Sequence, residues 1–173
     1  FAGEPRLRPH LHLSLQSGAD GVLEDMKRPY RSAGARRAVE RVAALGPAFG
    51  IGADFIVGFP GESGAVFSGI LRLVEELPFS YVHVFRYSPR PGTAATSLPG
   101  QVPGPVTARR AAELRALSGR KREDFRRGLL GGTFEAVVEN GSDLPGCHQA
   151  TTGNFETVMI PAAPGDGLRP GGL

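Results

Sequence analysis

The chain has 173 residues, 40% hydrophobic and 21% charged, enough for one compact domain or for one domain with a small appendage. Its single cysteine, Cys147, forms no internal disulfide and falls short of the three or four thiolates that an iron–sulfur cluster takes from its protein. No stretch approaches the ~18 consecutive apolar residues of a membrane span, and no charged-then-apolar leader opens the chain, so neither a span nor a secretory signal is expected. The net charge of +3 is uneven: 11 basic and 9 acidic groups over residues 1–104, 8 and 3 over 105–130, and 1 and 5 over 131–173.

Residues 10–16 (HLHLSLQ) alternate strictly, with Leu11, Leu13 and Leu15 on one face and His10, His12, Ser14 and Gln16 on the other, which predicts a strand with one apolar and one polar side. Asp20 then caps a short helix through Val22, Leu23 and Met26 to Arg28, where Pro29 interrupts it. A second helix is predicted over 33–45, broken by Gly46-Pro47. The apolar run 51–57 (IGADFIV) reads as a buried strand carrying one carboxylate, Asp54. A turn at 58–62 leads into a helix over 65–77, followed by a third strand at 81–87 (YVHVFRY).

Strands alternating with amphipathic helices mark a parallel α/β sheet or barrel. Three strands make an incomplete one, whose first strand is an exposed parallel edge of the kind that proteins cover or close. Together with a first residue that is Phe1 rather than Met, this leads to the expectation that further residues precede the chain.

Five prolines and three glycines over 88–105 predict an irregular connection. A long basic helix is expected over 106–130, its apolar side carrying Ala112, Leu114, Leu117 and Phe125; its arginines suit either phosphate contact or a solvated face. After Gly131-Gly132 two strand-like pieces, 133–139 and 154–160, joined by a glycine-rich loop, predict a small all-β appendage. The expected division is thus 1–130, 131–160 and a flexible tail over 161–173.

In a parallel α/β barrel the loops at the carboxyl ends of the strands form the site. Gln16 to Gly18, Gly58 to Glu62 and Tyr87 to Arg90 all fall there. Gly58 and Gly61 would let a ligand lie against bare backbone, and Glu62 would accept from an amine or hydroxyl; the alternative is an ordinary turn with Glu62 facing the next helix N-terminus. Asp54 is sharper, because a carboxylate inside an apolar strand costs several kcal/mol unless paired. His12 and His83 find no third donor at ligand spacing in the sequence, so no metal site is expected, and Cys147 beside His148 reads as an incidental thiol.

The blocks His10-Leu-His-Leu-Ser-Leu-Gln-Ser-Gly-Ala-Asp20, Met26-Lys-Arg-Pro-Tyr30, Asp54-Phe-Ile-Val-Gly-Phe-Pro-Gly-Glu62 and His83-Val-Phe-Arg-Tyr-Ser-Pro-Arg-Pro-Gly-Thr93 resemble, in order and spacing, the radical S-adenosylmethionine methylthiotransferases. The resemblance covers residues 1 to about 160, since 133–160 looks like the family's terminal TRAM domain, an RNA-binding β-barrel. The Ser14-containing form of the first block, followed by Lys-Arg-Pro-Tyr, is most like the branch acting on N6-threonylcarbamoyladenosine at position 37 of tRNA. The branches acting on isopentenyladenosine or on an aspartate of a ribosomal protein more often carry Pro where Ser14 stands.

The resemblance implies that the strands at 10–16, 51–57 and 81–87 are the last three of a split (β/α)6 barrel. It implies S-adenosylmethionine and two [4Fe-4S] clusters in the full-length protein, their ligands outside this chain, with tRNA and a reducing electron donor as partners, in a monomeric cytoplasmic enzyme. Ser14, Gln16, Asp54, Gly58, Gly61, Glu62, Phe85 and Tyr87 would line the cofactor and substrate cavity, and Arg90 would lie near the incoming nucleotide. No catalytic residue and no metal ligand is assigned in this chain, which alone would be inactive. A non-catalytic module binding RNA or S-adenosylmethionine is the alternative. The excess of acid over base in residues 131–173 fits poorly with phosphate binding there, and the arginine-rich helix would supply part of that contact.

Overall fold

The computed structural model describes residues 3, 4 and 6–172. They divide into two units, one of Leu11–Gly128 and one that joins the described residues up to His10 to those from Leu129 onward. A boundary near residue 130 was expected; that the described residues up to His10 join the later unit was not. None of the described helices is long and apolar enough to cross a membrane.

In the larger unit, strands β1 (His10–Gln16), β2 (Gly50–Val57) and β3 (Tyr81–Arg86) form one sheet in that order, with β2 and β3 parallel. Strict alternation sorts their side chains. Ile51, Ala53, Phe55 and Val57 of β2 and Val82 and Val84 of β3 enter the hydrophobic core, against which Leu11 and Leu13 of β1 also pack. Phe55 is wholly buried and meets Phe79 edge-on, ring centroids 6.2 Å apart. The intervening positions His12, Ser14, Gly52, Asp54, His83 and Phe85 share the opposite face by the same period of two.

The core is completed by helices α2 (Ser32–Ala43), α3 (Gly64–Glu76) and α4 (Gly104–Leu129), while the short helix α1 (Asp20–Asp25) buries Val22 and Leu23. Asp20 is the first residue of α1 rather than its cap, and its carboxylate instead accepts from the Ser32 N–H at the start of α2, 2.7 Å away. Hydrogen bonding from the Ser32 side chain, and then from its N–H, holds the Asp20 carboxyl below the usual carboxylate range. Helix α1 ends three residues sooner than expected because Lys27 (φ 58) turns into the left-handed region, letting Lys27 and Arg28 N–H close back onto Glu24 and Leu23 carbonyls. Ser63 caps α3, its hydroxyl accepting from Val66 N–H at 3.2 Å.

Helix α4 buries Thr107, Arg110, Ala111, Leu114 and Leu117, one stripe at three- and four-residue steps that ends halfway along it. Several of its basic groups bind the layer beneath. Arg115 donates to Val84 O (2.9 Å), and Lys121 donates to Glu75 O (3.0 Å) and Leu77 O (2.6 Å), where burial lowers its pKa. The charge pattern that reads as a solvated or phosphate-facing surface is therefore in part a set of clamps on strand and helix carbonyls.

In the smaller unit, β4 (Ala136–Val138), β5 (Cys147–Thr152) and β6 (Thr157–Pro161) form an antiparallel sheet in that order. Strand β5 lies within the stretch read as a glycine-rich loop. Its sequence, CHQATT, has no apolar alternation, and the sheet recruits it by pairing with both neighbours. The tail also departs from expectation: Gly171 N–H donates to Val138 O (2.8 Å) and Val138 N–H to Gly172 O (3.1 Å), so the glycine-rich end follows β4 instead of fraying. Arg8 pairs with Glu135 at 2.7 Å, and His10 stacks on Phe155 at 4.6 Å, which ties the first residues to this unit.

Candidate functional site

The polar sheet face carries a connected cluster. His12 Nε2 lies 2.8 Å from Asp54 Oδ1, His83 Nδ1 lies 3.4 Å from the same oxygen, and Ser14 Oγ donates to Asp54 Oδ2 at 3.4 Å. The second ring nitrogen of His12 is 3.1 Å from the Tyr81 hydroxyl. Asp54 and His83 are direct cross-strand partners, so the parallel register itself brings them together. The sequence reading found no third donor for His12 and His83; the fold supplies Asp54, because residues far apart in the chain meet on adjacent strands.

Gly52 makes this packing fit. A Cβ there would stand 2.5 Å from the Tyr81 hydroxyl and 2.6 Å from His12 Nδ1. Tyr81 and Gly52, both missed as site residues, were legible in hindsight, since each shares the period-two face of His83 or Asp54.

At the carboxyl end of β1, Gln16 is 8% exposed and holds φ at 63°, a left-handed conformation uncommon for a residue with a Cβ. Tyr30 braces this end, its hydroxyl donating to the carbonyls of Ser14 (2.7 Å) and Leu15 (3.1 Å), and burial pushes its phenol above the ordinary tyrosine range. Such strain persists only where the surroundings over-determine it, and it clusters at functional positions.

The turn after β2 is built from the inside. Gly58 (φ 79) and Gly61 (φ 84) permit close approach, and the approach is made by the protein: Thr107 Oγ1 lies where a Gly58 Cβ would be, and Gly61 N–H donates to Gly100 O at 3.0 Å. Glu62, fully buried, accepts from Gly58 N–H (3.0 Å) and from Arg110 Nη1 (2.8 Å), while Arg110 also donates to the Glu62 carbonyl (2.7 Å). Burial pushes the Glu62 carboxyl above its ordinary value, against the opposing pull of Gly58 and Arg110. In this arrangement Glu62 holds its own turn and anchors α4.

Gly58, Phe85 and Tyr87 line a cleft of about 550 Å³ with Ser88, Gln101 and Thr107. The Tyr87 hydroxyl is buried there with no hydrogen-bond partner among the described residues, an orphaned polar group that a ligand atom would satisfy. Phe59 meets the Tyr87 ring edge-on at 5.2 Å, which fixes its orientation. The expected site residues therefore fall in several places: Ser14 and Asp54 on the sheet face, Gln16 at the end of β1, Gly58, Phe85 and Tyr87 at the cleft, and Gly61 and Glu62 within the turn. Phe85 joins the first and third, meeting His83 edge-on at 6.4 Å. Arg90 is exposed on the following loop. In the smaller unit, His148 pairs with Asp166 at 3.0 Å and Cys147 is half-buried on β5.

No family model matches the chain. It is 52% identical over 103 residues to the threonylcarbamoyladenosine tRNA methylthiotransferase MtaB of Thermotoga maritima, a match covering 60% of this chain and 24% of the relative. It is 41% identical over 141 residues to the tRNA-2-methylthio-N(6)-dimethylallyladenosine synthase of Erythrobacter litoralis, covering 82% of this chain and 32% of that protein. The chain thus spans about a quarter to a third of the length of the curated relatives it matches. At these identities, and with the four motif blocks in order, the chain is a homologue of the radical S-adenosylmethionine methylthiotransferases.

Proposed function

We propose that the chain contributes the last three barrel strands and a TRAM-like end to an enzyme that adds a methylthio group to N6-threonylcarbamoyladenosine at position 37 of tRNA. The observation that carries this reading is the run His10 to Asp20 with Ser14 in it. The 52% identity to the threonylcarbamoyladenosine relative, against 41% to the dimethylallyladenosine relative, supports the same branch. The three-stranded sheet of the larger unit and the antiparallel sheet of the smaller one are compatible with the partial barrel and the TRAM-like end.

S-adenosylmethionine, when bound, supplies both radical initiation and a methyl group in this family. The cleft that Tyr87 lines, together with a Tyr87 hydroxyl left without a partner, suits such a polar ligand. Gly58, Phe85 and Tyr87 would hold it there, Gln16 would orient it from the end of β1, and Ser14 and Asp54 would accept from hydroxyl or amine groups on the sheet face. Gly61 and Glu62 act through the turn that fixes Gly58. Arg90, exposed beyond β3, is suited to a phosphate of the incoming nucleotide. The iron–sulfur clusters do not fit the donors of this chain, which offers one thiol where three or four are needed, so on this reading their ligands lie elsewhere in the enzyme and the chain alone would carry out no methylthio transfer.

The test uses the full gene product, reconstituted with iron and sulfide and incubated with tRNA bearing threonylcarbamoyladenosine, tRNA bearing isopentenyladenosine, or ribosomal protein. A methylthio mass gain on the first substrate alone is expected. A gain on either of the others overturns the branch, and tRNA binding with no gain on any of the three supports the binding module instead. Asp54→Ala and Gln16→Ala should slow S-adenosylmethionine cleavage while iron content stays unchanged; normal cleavage in both sinks the cavity assignment.

A further inference from the structure

We propose that His12, Asp54 and His83 form a binding site for a divalent transition-metal ion of the zinc class. The three side chains come from three neighbouring strands on one sheet face, and their ligand atoms all lie within 4.8 Å of one another. Two imidazoles and one carboxylate are a donor set that suits Zn(II) and, with positions left open, Fe(II) or Co(II). Bonds of about 2.0–2.1 Å at a tetrahedral angle set donors about 3.3 Å apart. The observed 2.8 Å from His12 to Asp54 and 3.4 Å from His83 to Asp54 straddle that separation, while the widest separation among the three ligand atoms, up to 4.8 Å, has to close by side-chain rotation as an ion is seated.

The surroundings are arranged as outer partners of a metal site. A ligating histidine ordinarily engages its other ring nitrogen, and His12 Nδ1 has the Tyr81 hydroxyl at 3.1 Å, which leaves Nε2 for the ion. Ser14 Oγ engages Asp54 Oδ2, which leaves Oδ1, the oxygen that both imidazoles already approach. Gly52 supplies the space in which His12 and Tyr81 meet. The His83 side chain is 53% exposed, so the ion has a way in and a coordination position open to water or to a ligand. With three protein ligands and an open position, the bound ion would act as a Lewis acid or activate a water. The site uses only residues of the larger unit; it shares Asp54, with Ser14 beside it, with the sheet-face role proposed above, and its test reads metal binding alone.

The test uses the chain as it is, freed of metal with a chelator and titrated with Co(II) and with Zn²⁺. Visible ligand-field bands saturating at one Co(II) per chain, and abolished by Zn²⁺, are expected, with the imidazole nitrogen resonances of His12 and His83 shifting on Zn²⁺ addition. His83→Ala, at an exposed position where unfolding is not at issue, and Asp54→Asn should each weaken Zn²⁺ binding more than Tyr81→Phe, which should weaken it about tenfold or more. The double variant Cys147→Ser/His148→Ala, in the other unit, should leave stoichiometry and affinity unchanged. Absence of binding to the unsubstituted chain, or full affinity in His83→Ala and Asp54→Asn, overturns the proposal and leaves the cluster as an internal hydrogen-bond network.

Discussion

Replacing Arg110 by Met removes the cation that faces Glu62 while keeping most of the apolar stem of the side chain. The arginine gives up two charge-assisted hydrogen bonds from Nη1, at 2.7 and 2.8 Å, and its position 5.4 Å over the Phe67 ring. The Glu62 side chain, with no exposed surface, is left with the Gly58 N–H alone. Stripping one partner from a buried pair costs about 3–5 kcal/mol, because the remaining charge is uncompensated. Pairing the change with Glu62→Gln should recover most of that, since the amide oxygen still accepts from Gly58 N–H and carries no charge into the interior.

All three tyrosines, Tyr30, Tyr81 and Tyr87, lie in the larger unit and the chain has no tryptophan, so tyrosine fluorescence during urea unfolding reports on that unit. With a urea slope of about 1.5–2 kcal/mol/M, the midpoint of Arg110→Met should fall by about 2 M at pH 8. The loss should shrink as pH falls toward 4.5, the ordinary glutamate value, because protonation discharges the orphaned carboxyl. A loss under about 1 kcal/mol, or single-variant effects that add within ~0.5 kcal/mol in the double variant, would refute the reasoning.

Gly58→Ala should destabilise the larger unit by at least about 2 kcal/mol, combining the left-handed φ of 79° with a Cβ 2.2 Å from Thr107 Oγ1; adding Thr107→Gly should recover the steric part only, as read by the same urea curves. Ser63→Ala should cost about 1 kcal/mol through the lost cap on Val66 N–H, and Ser63→Asp should restore it. Glu62 and Asp20 should show opposite pH signatures. The folded pKa of Glu62 is raised, so its contribution is fully present below 4.5 and is lost as pH rises through the folded value; Glu62→Gln should remove that decline. The folded pKa of Asp20 is lowered, so its contribution is present above 3.8 and is lost as pH falls through the folded value; Asp20→Asn should reduce the stability lost on acidification.

Strand alternation, helix periodicity and the proline and glycine breaks placed every strand and α-helix of the larger unit to within a few residues, because these elements each bury one well-defined apolar side; the short 3-10 turn at Ala94–Ser97, which buries nothing, was read as irregular chain. Strand β5 escaped because CHQATT has no such side and becomes a strand only through its two neighbours. The tail escaped because glycine and proline content reports the freedom of an isolated segment and says nothing of a partner edge. Asp54 was conspicuous in the sequence, a carboxylate in an apolar run, and so was the polar side of β1. Their meeting with His83 and Tyr81 was not, since contact across strands depends on register, which no local pattern records. Likewise Arg110 looked like one more charge on a basic helix, until the fold set it against Glu62, 48 residues earlier. Composition and period determined which side chains would seek the interior; only the tertiary structure decided which polar groups would find one another there, because pairing is a property of distances in space and the chain encodes those distances only as a whole.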